Sequence, residues 1–462
     1  MKASHRHDVI VVGAGFAGLS AACLLAEAGA RVLVVEARPQ LGGRATAFVD
    51  RETGELVDNG QHVLFGCYRA TFEFLRRIGA EGNVRRPPTL QFSCYDTAGA
   101  RSVLVCPPLP APFHLLAGVL TWSPIPWRDR VAAVRLVRPL VRARRQLRAR
   151  GAIDPGARTE TVREWLDRHG QGRMLSAWLW EPLAVAALNQ SVDHASAAPF
   201  VRVLAEMFSP DASAAAIVLP TRPLHEMYAE PARAYIEARG GEVRESALAR
   251  VVLDGSRVSR VEIRGVAHEA QAVLSSVAWH SMGNLFAPER PAALAAVLDA
   301  ADRMHAQPIV TVNLWYDREV LAEPFAGLPG RTMQWVFDKR LAFGGAASHL
   351  SLVSSGATEI ASRSNAELTA LAAAEISGSL PDARGARLLR ATVVRERRAT
   401  FSLAPGQPPR PRPATEVEGL FLAGDWTDTN LPATIESAVV SGHAAARMIL
   451  GTRQLGHTEE MR

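Results

Sequence analysis

The first 36 residues carry the pattern that most restricts the fold, a short apolar strand followed by a glycine-rich turn, a helix and a second strand. Asp8–Val12 is a β-branched run suited to a buried parallel strand. It leads into the turn Gly13–Gly18, and a helical stretch then runs from Leu19 to Ala28. Arg31–Glu36 has the composition of the second strand. This order predicts an α/β fold built on a parallel, Rossmann-type sheet.

The turn has the spacing of a dinucleotide site. Gly13 permits the tight turn, Gly15 lets the backbone approach a pyrophosphate, and Gly18 lets the helix and strand pack closely. Glu36 lies 18 residues beyond Gly18, at the strand end where a carboxylate accepts ribose hydroxyls. A glycine-rich turn without a ligand is the alternative, but the flanking strand, the helix and the acid together favour a nucleotide.

Two further segments indicate which dinucleotide is bound. Ala37–Arg44 follows the second strand and contains Gly42 and Gly43, and Gly419–Asp425 is typical of a buried strand followed by a glycine and an acid. Both segments resemble the amine oxidase and carotenoid desaturase group of flavoproteins, in which they lie along the pyrophosphate and ribityl chain of FAD. The resemblance implies FAD. No cysteine or histidine stands where this group sometimes attaches its flavin, so we predict noncovalent binding.

The end of the chain resembles the same group. Leu431–Ala438 is predicted to open a final helix that runs to about Leu450, with Pro432 just inside its start. In the resembling proteins the positive end of this helix faces the flavin pyrimidine ring, which favours the anionic reduced flavin. The residues predicted to contact FAD are Gly13, Ala14, Gly15, Phe16, Ala17, Gly18, Glu36, Ala37, Arg38, Gly42, Gly43, Arg44, Gly60, Gln61, His62, Gly424, Asp425, Thr434 and Ile435.

Three segments carry a narrower resemblance: Asp58–Tyr68, Leu179–Asn189, and Ala423–Thr427 with Leu431–Glu436. They are similar to the bacterial hydroxysqualene dehydroxylases, also called squalene-associated FAD-dependent desaturases, and the similarity spans Asp8 to about Leu450. The resemblance implies an enzyme that uses reduced FAD to remove the hydroxyl of hydroxysqualene and yields squalene for hopanoid or carotenoid synthesis.

That reaction needs a proton donor, because an allylic alcohol loses water readily once its oxygen is protonated. We expect His62 first, since its pKa suits proton transfer near neutral pH, and then Asp58 or Glu181. The alternative is that Gln61 and His62 only line the FAD pocket or hold a loop. Candidate walls of an apolar tunnel, which are equally typical of plain core, are Trp122, Trp178, Trp180 and Trp335.

The separation of the FAD motifs predicts a discontinuous domain. We assign residues 1–80, 220–285 and 411–451 to the FAD-binding domain, with the backbone near Leu248–Val251 facing the adenine. Residues 81–219 and 286–410 would form a mixed α+β substrate domain, and residues 452–462 a flexible tail.

Residues 102–150 differ in composition from an ordinary soluble protein. Residues 102–127 contain no Asp, Glu, Lys or Arg, whereas residues 128–150 hold nine arginines and one acid. An apolar, tryptophan-containing loop that includes Leu116, Leu120 and Trp122, next to an arginine-rich amphipathic helix, suits the surface of an anionic membrane. A buried loop followed by a solvated helix face explains the composition equally well. We expect a cytoplasmic protein with peripheral contact to the inner face of the cytoplasmic membrane.

Composition bears on two further possibilities, a nucleic-acid partner and a metal site. The 52 basic residues include only two lysines, Lys2 and Lys339, and the formal charge is +6. This global charge is a weak binding signal, and we predict no nucleic-acid partner. The four cysteines have no metal-ligand spacing, which fits a reducing compartment, and we predict no metal site.

Three other functions compete. A phytoene-type carotenoid desaturase uses the same fold in the oxidative direction. An amine oxidase would usually place a lysine near the flavin and often a tyrosine where Thr434 and Ile435 stand, and neither lysine has a matching sequence context. A noncatalytic flavin-binding scaffold is the third.

Overall fold

The computed structural model describes residues 6–151, 153, 159–344 and 348–460. The strands, in chain order, are β1 (Arg6–Val12), β2 (Val32–Val35), β3 (Ala47–Val49), β4 (Leu56–Asp58), β5 (Leu64–Phe65), β6 (Val84–Arg85), β7 (Gln91–Tyr95), β8 (Arg101–Val105), β9 (Ile217–Pro220), β10 (Glu242–Arg244), β11 (Ala249–Asp254), β12 (Arg257–Ile263), β13 (Val266–Ser275), β14 (Ala306–Tyr316), β15 (Phe325–Gly327), β16 (Trp335–Asp338), β17 (Ser348–Ser355), β18 (Leu388–Phe401) and β19 (Leu420–Leu422).

The α-helices are α1 (Phe16–Glu27), α2 (Arg69–Arg77), α3 (Phe113–Thr121), α4 (Trp127–Ala132), α5 (Val137–Arg150), α6 (Val162–Arg168), α7 (Arg173–Leu175), α8 (Glu181–Leu188), α9 (Ala197–Met207), α10 (Glu230–Glu237), α11 (Ala295–Arg303), α12 (Lys339–Phe343), α13 (Asn365–Ser379) and α14 (Ile435–Glu460). Two π-helical turns, Ser176–Trp180 and His225–Ala229, lead directly into α8 and α10.

The first sheet has seven strands in the order β10-β2-β1-β13-β12-β11, with β19 also paired to β13. β1 runs parallel to β2 and to β13, and β13 runs parallel to β19. Val9, Ile10 and Val11 are completely buried between its layers, as the β-branched run predicts. The predicted Rossmann-type α/β fold is therefore confirmed.

Parallel pairing brings distant sequence motifs to one edge of this sheet. Gly13 follows β1, Glu36 follows β2, Ser276 follows β13, and Ala423 follows β19. Ligands bind at the carboxyl ends of strands in sheets of this kind, so this edge is where the nucleotide is expected. The helices behind it pack tightly, because a β-carbon on Gly18 would collide with the carbonyl oxygen of Gly13 and one on Gly442 of α14 would collide with the carbonyl oxygen of Ala17 in α1.

The second sheet also has seven strands, in the order β18-β14-β17-β16-β15-β7-β8. Its core lies against α13, where Leu314, Leu352 and Ile376 are completely buried. The β3–β4 hairpin packs on the second sheet, because Asp50 accepts a hydrogen bond from Arg390 of β18 at 2.6 Å and Glu55 accepts one from the Trp315 indole of β14 at 2.6 Å.

Two details of the predicted elements are wrong. The last helix begins at Ile435, so Pro432 precedes it, and the helix continues past its predicted end near Leu450 to Glu460. Much of the apolar segment 102–127 is strand and helix, in β8 and α3, rather than a loop. Trp122 is 2% exposed and belongs to the core.

Candidate functional site

A cavity of about 770 Å³ opens at the carboxyl-terminal edge of the first sheet and takes its lining from both sheets. All the residues predicted to contact FAD line this cavity except Ala14 and Gly18. Gly18 instead serves helix packing, which is the role that the glycine spacing gives it. His62 and Glu181, two of the predicted proton donors, also line the cavity.

The nucleotide end is built by Glu36 and the start of α1. The Glu36 carboxylate accepts hydrogen bonds from the backbone N–H of Ala14 at 2.9 Å and of Arg38 at 3.0 Å. No side chain caps the N-terminus of α1 at Gly15, and a β-carbon on Gly15 would meet no atom within 4 Å. Uncapped backbone N–H groups beside open space at a helix N-terminus fit a pyrophosphate.

Ser276 is a lining residue that the sequence analysis missed. Its Oγ lies 2.8 Å from the carbonyl oxygen of Gly13 and 3.0 Å from that of Val12, which fixes the glycine turn. The available signal was its position directly after β13, at the edge where the parallel strands end.

Arg44 and Asp425 bring the two flavin motifs into contact. The Arg44 guanidinium donates to Asp425 Oδ1 at 2.5 Å and to the carbonyl oxygen of Ala399 at 2.6 Å, and it lies 5.6 Å from the centre of the Trp279 ring. Burial opposes the charge, but the Asp425 carboxylate holds the pKa of Arg44 above its ordinary value. The arginine therefore stays charged beside the expected phosphate and ribityl region.

The loop after β4 also lines the cavity, through Asn59, Gly60, Gln61 and His62. His62 Nδ1 lies 2.7 Å from the carbonyl oxygen of Gly60, so Nδ1 carries the proton and the neutral ring presents Nε2 as an acceptor. Burial lowers the pKa of His62. His62 can therefore donate a proton from Nε2 only after Nε2 has itself been protonated.

The other two predicted proton donors are engaged in ion pairs. Asp58 is not a lining residue, and its carboxylate accepts from Lys339 Nζ at 2.5 Å and from the backbone N–H of Leu224 at 3.4 Å. This placement opposes proton transfer from Asp58 to a molecule in the cavity. Glu181 lines the cavity, but its carboxylate accepts from the Arg163 guanidinium at 2.6 Å.

Lys339 lies close to the cavity, although its sequence context does not match that of the amine-oxidase lysine. It contacts Gln61 Oε1 at 2.5 Å as well as Asp58, so it stands directly behind the lining loop. The sequence contains one indication that this residue is unusual: Lys339 is one of only two lysines in a chain whose other basic residues are all arginine.

The far end of the cavity is apolar and aromatic. Its walls include Phe92, Trp178, Phe325, Trp335 and Phe337. Trp178 and Trp335 thus line the cavity as predicted, whereas two other tryptophans do not. Trp122 packs behind Trp178 with ring centres 5.9 Å apart, and the buried Trp180 donates to Gln171 Oε1 at 3.0 Å.

The first turn of α14 closes the flavin side of the cavity. Thr434 and Ile435 line it, and Thr434 Oγ1 accepts from the backbone N–H of Ser437 at 3.2 Å. Glu436 points away, accepting from the backbone N–H groups of Ala70 at 3.0 Å and Thr71 at 2.9 Å at the start of α2. Glu436 therefore ties α2 to α14.

Comparison with known proteins agrees with this geometry. Residues 16–450 match the model of the family described as flavin containing amine oxidoreductase. A hydroxysqualene dehydroxylase of Rhodopseudomonas palustris is 32% identical and aligns over 96% of this chain and 98% of its own length, and one of Sinorhizobium fredii is 30% identical with the same coverage. A 15-cis-phytoene desaturase of an Oncidium hybrid is 25% identical over 96% of this chain and 78% of its own length.

Solved structures share the fold. An oxidoreductase from Methanosarcina mazei superposes with a TM-score of 0.74 at 17% identity, covering 95% of this chain and all of its own. Putrescine oxidase bound to putrescine gives 0.71 at 18% identity, covering 96% and 99%. The flavin-containing family and the nucleotide end of the cavity agree on FAD as the cofactor. The chain belongs to the flavin-containing amine oxidoreductase family and, within it, to the hydroxysqualene dehydroxylases.

Proposed function

We propose that this protein removes the hydroxyl group of hydroxysqualene reductively and releases squalene. The observation that carries the proposal is the single cavity that joins a dinucleotide end, at Glu36 and Gly15, to an aromatic and aliphatic end lined by Phe92, Trp178 and Trp335. Each methylene group that leaves water for such walls contributes about 0.8 kcal/mol. The cavity therefore favours a long hydrocarbon beside the cofactor, and relatives are named for hydroxysqualene and phytoene.

The residues of the chain have three tasks in this reaction. The apolar walls hold the isoprenoid and exclude bulk water, which would otherwise capture a carbocation. His62 delivers the proton that the departing oxygen needs, from Nε2, while Gly60 fixes the ring through Nδ1. Reduced FAD, when bound, would supply the carbon with a hydrogen and two electrons. Glu36, Arg44 and Asp425, which line the same cavity as His62, would hold that cofactor.

The direction of electron flow separates this function from that of a phytoene desaturase, the family of the 25% identical relatives. Holoenzyme reduced with dithionite under anaerobic conditions should return to the oxidised flavin spectrum when hydroxysqualene is added, with one squalene formed per flavin. Phytoene should leave oxidised holoenzyme unchanged. Reduction of the flavin by phytoene, without any response to hydroxysqualene, would assign the protein to the desaturases.

His62 can be tested in the same single-turnover assay. His62→Ala should slow squalene formation by about 10²–10⁴-fold, the usual contribution of a general acid. Because burial lowers the pKa of His62, the rate of the parent enzyme should rise as the pH falls below neutral, and this rise should be absent in the variant. A normal rate in His62→Ala would transfer proton delivery to a bound water.

We also propose that the surface around α3 and α4 rests on an anionic membrane, from which a hydrophobic substrate enters. Phe113 is 62% exposed and Trp127 is 67% exposed, and Val131 and Val134 of the following turn are exposed beside them. Exposed arginines follow in the same stretch of sequence, at Arg128, Arg135, Arg138, Arg145 and Arg148. Apolar side chains edged by cations match an anionic lipid surface. Among the described helices, none has the length and apolar character needed to cross a bilayer.

Vesicle sedimentation tests this contact. Phe113→Ser with Trp127→Ser should reduce binding to vesicles containing anionic lipid, and salt should weaken binding of the parent. Leu389→Ser with Val266→Ser, two exposed apolar side chains at other places, is the matched control and should bind normally. The structure changes the choice of residues, because Trp122, one of the side chains that would insert if the apolar segment contacted a membrane, is buried. Equal sedimentation of all three proteins would remove the patch as the contact.

A further inference from the structure

Lys339 carries a buried charge that the reaction outlined above does not use. It is the first residue of α12, its side chain is 4% exposed, and its ammonium group lies 2.5 Å from both Asp58 Oδ2 and Gln61 Oε1. The ring of Phe343 covers the ammonium group at 4.3 Å. The ion pair with Asp58 offsets the cost of burying the lysine, and Gln61 is the partner through which Lys339 reaches the cavity.

The lysine fixes the orientation of the Gln61 amide. An ammonium group has three donors and no acceptor, so the side-chain oxygen of Gln61 must face it. The amide nitrogen then lies on the opposite side, where it contacts the carbonyl oxygen of His62 at 3.3 Å. Gln61 lines the cavity, and because Lys339 holds its oxygen, the remaining N–H is the polar group of this side chain that is left for a bound molecule. The wall at Gln61 therefore presents a donor and no acceptor.

We propose that Gln61 donates a hydrogen bond to the departing oxygen of the substrate alcohol, and that Lys339 is the positioning residue that holds Gln61 in this orientation. The inference rests on the proposed function. His62 draws a proton from solvent and transfers it to the oxygen as the C–O bond breaks with its electron pair on oxygen, so that the oxygen leaves as water. Reduced FAD, when bound, would supply the carbon with a hydrogen and two electrons. Gln61 transfers nothing, but its N–H stabilises the electron density that gathers on the oxygen while the C–O bond lengthens and before proton transfer is complete.

The surroundings strengthen this donor. The positive charge of Lys339 polarises the Gln61 amide towards its oxygen, which makes the N–H on the other side a better donor. The adjoining walls are aromatic and aliphatic, so water screens the interaction little. A preorganised donor in such a site is worth about 10²–10³-fold in rate.

Activity of the holoenzyme tests both roles. Gln61→Glu, which keeps the shape but loses the N–H, and Gln61→Leu should each lower kcat by about 10²–10³-fold with little change in KM. Lys339→Met combined with Asp58→Asn removes both buried charges together and should lower kcat by about tenfold. The triple variant, which combines Lys339→Met, Asp58→Asn and Gln61→Leu, should have the same kcat as Gln61→Leu alone, because Lys339 acts through Gln61.

FAD content and melting temperature establish that each variant folds. Gln171→Leu removes a buried glutamine that is not a lining residue and should keep its kcat.

A binding measurement separates this inference from the function. Oxidised holoenzyme lacks the electrons for turnover, so affinities for hydroxysqualene and for squalene can be compared directly. The parent should favour the alcohol by about tenfold, and Gln61→Leu should bind both equally. A Gln61→Leu variant that keeps the preference for the alcohol, or keeps its kcat, overturns the role of Gln61. If the combined variant loses kcat by the product of the two separate losses, the role of Lys339 is overturned. A parent enzyme that neither prefers nor converts hydroxysqualene overturns the proposed function and the inference with it.

Discussion

The Glu36 carboxylate connects the glycine turn after β1 with the segment after β2, since it accepts hydrogen bonds from the backbone N–H groups of Ala14 and Arg38. Glu36→Ala should weaken FAD binding by at least tenfold, because a charge-assisted hydrogen bond contributes about 1.5–3 kcal/mol. Fluorescence titration of the apoprotein with FAD measures the change. An unaltered dissociation constant would place the adenosine ribose elsewhere.

His349 predicts a pH dependence of stability. Burial, followed by the nearby charge of Lys339, lowers the pKa of His349 to about 3, whereas the unfolded chain has the ordinary value of about 6.5. Below pH 6.5 the unfolded chain therefore binds a proton that the folded protein does not. The free energy of unfolding should fall with decreasing pH by up to about 1.4 kcal/mol per unit, on account of this residue, between about pH 6.5 and 3. Denaturant unfolding at several pH values, in the parent and in His349→Gln, measures it, and the variant should show the shallower decline.

Sequence and structure differ most for single side chains. The glycines, Glu36 and Asp425 were predictable because each stands at a fixed place relative to a strand end. The pairing of Asp58 with Lys339 joins residues 281 positions apart, and no local pattern records such a contact. The sequence could not place Trp122 for a related reason: an uncharged segment is equally compatible with a lipid surface and with a core.

The contact between α2 and α14 depends on one carboxylate. Glu436 accepts from the backbone N–H groups of Ala70 and Thr71 and from the Thr71 hydroxyl at 2.7 Å, so it satisfies donors at the start of α2 that would otherwise be buried without a partner. Glu436→Ala should lower the free energy of unfolding by about 1–3 kcal/mol, seen as a lower melting temperature. Glu367, the exposed capping residue of α13, provides a matched control, and Glu367→Ala should cost less. Equal losses would show that burial of the Glu436 cap adds nothing.

Periodicity and turn chemistry predicted the elements of the first sheet well. The helix start at Ile435 was displaced because a proline is compatible with the first turn of a helix and with the residues before it. Thr434, whose hydroxyl accepts from Ser437, is the residue that caps the helix.

FAD should stabilise the molecule as a whole, because its site draws on both ends of the described chain, from Gly13 to Ile435. Acid or boiling should release the yellow cofactor into the supernatant. The melting temperature of the apoprotein should then rise with the concentration of added FAD. Colour that stays with the precipitated protein would indicate a covalent bond.

The pairing of β19 with β13 has a consequence for synthesis in the cell. A ribosome making this protein exposes the glycine turn and Glu36 early, but β19, Asp425 and the start of α14 follow some 400 residues later. Until they emerge, one edge of β13 is open and the cofactor site lacks Gly424, Asp425, Thr434 and Ile435. The nascent chain should therefore take up FAD only near the end of translation, and cellular flavin supply should govern how much completed protein escapes proteolysis.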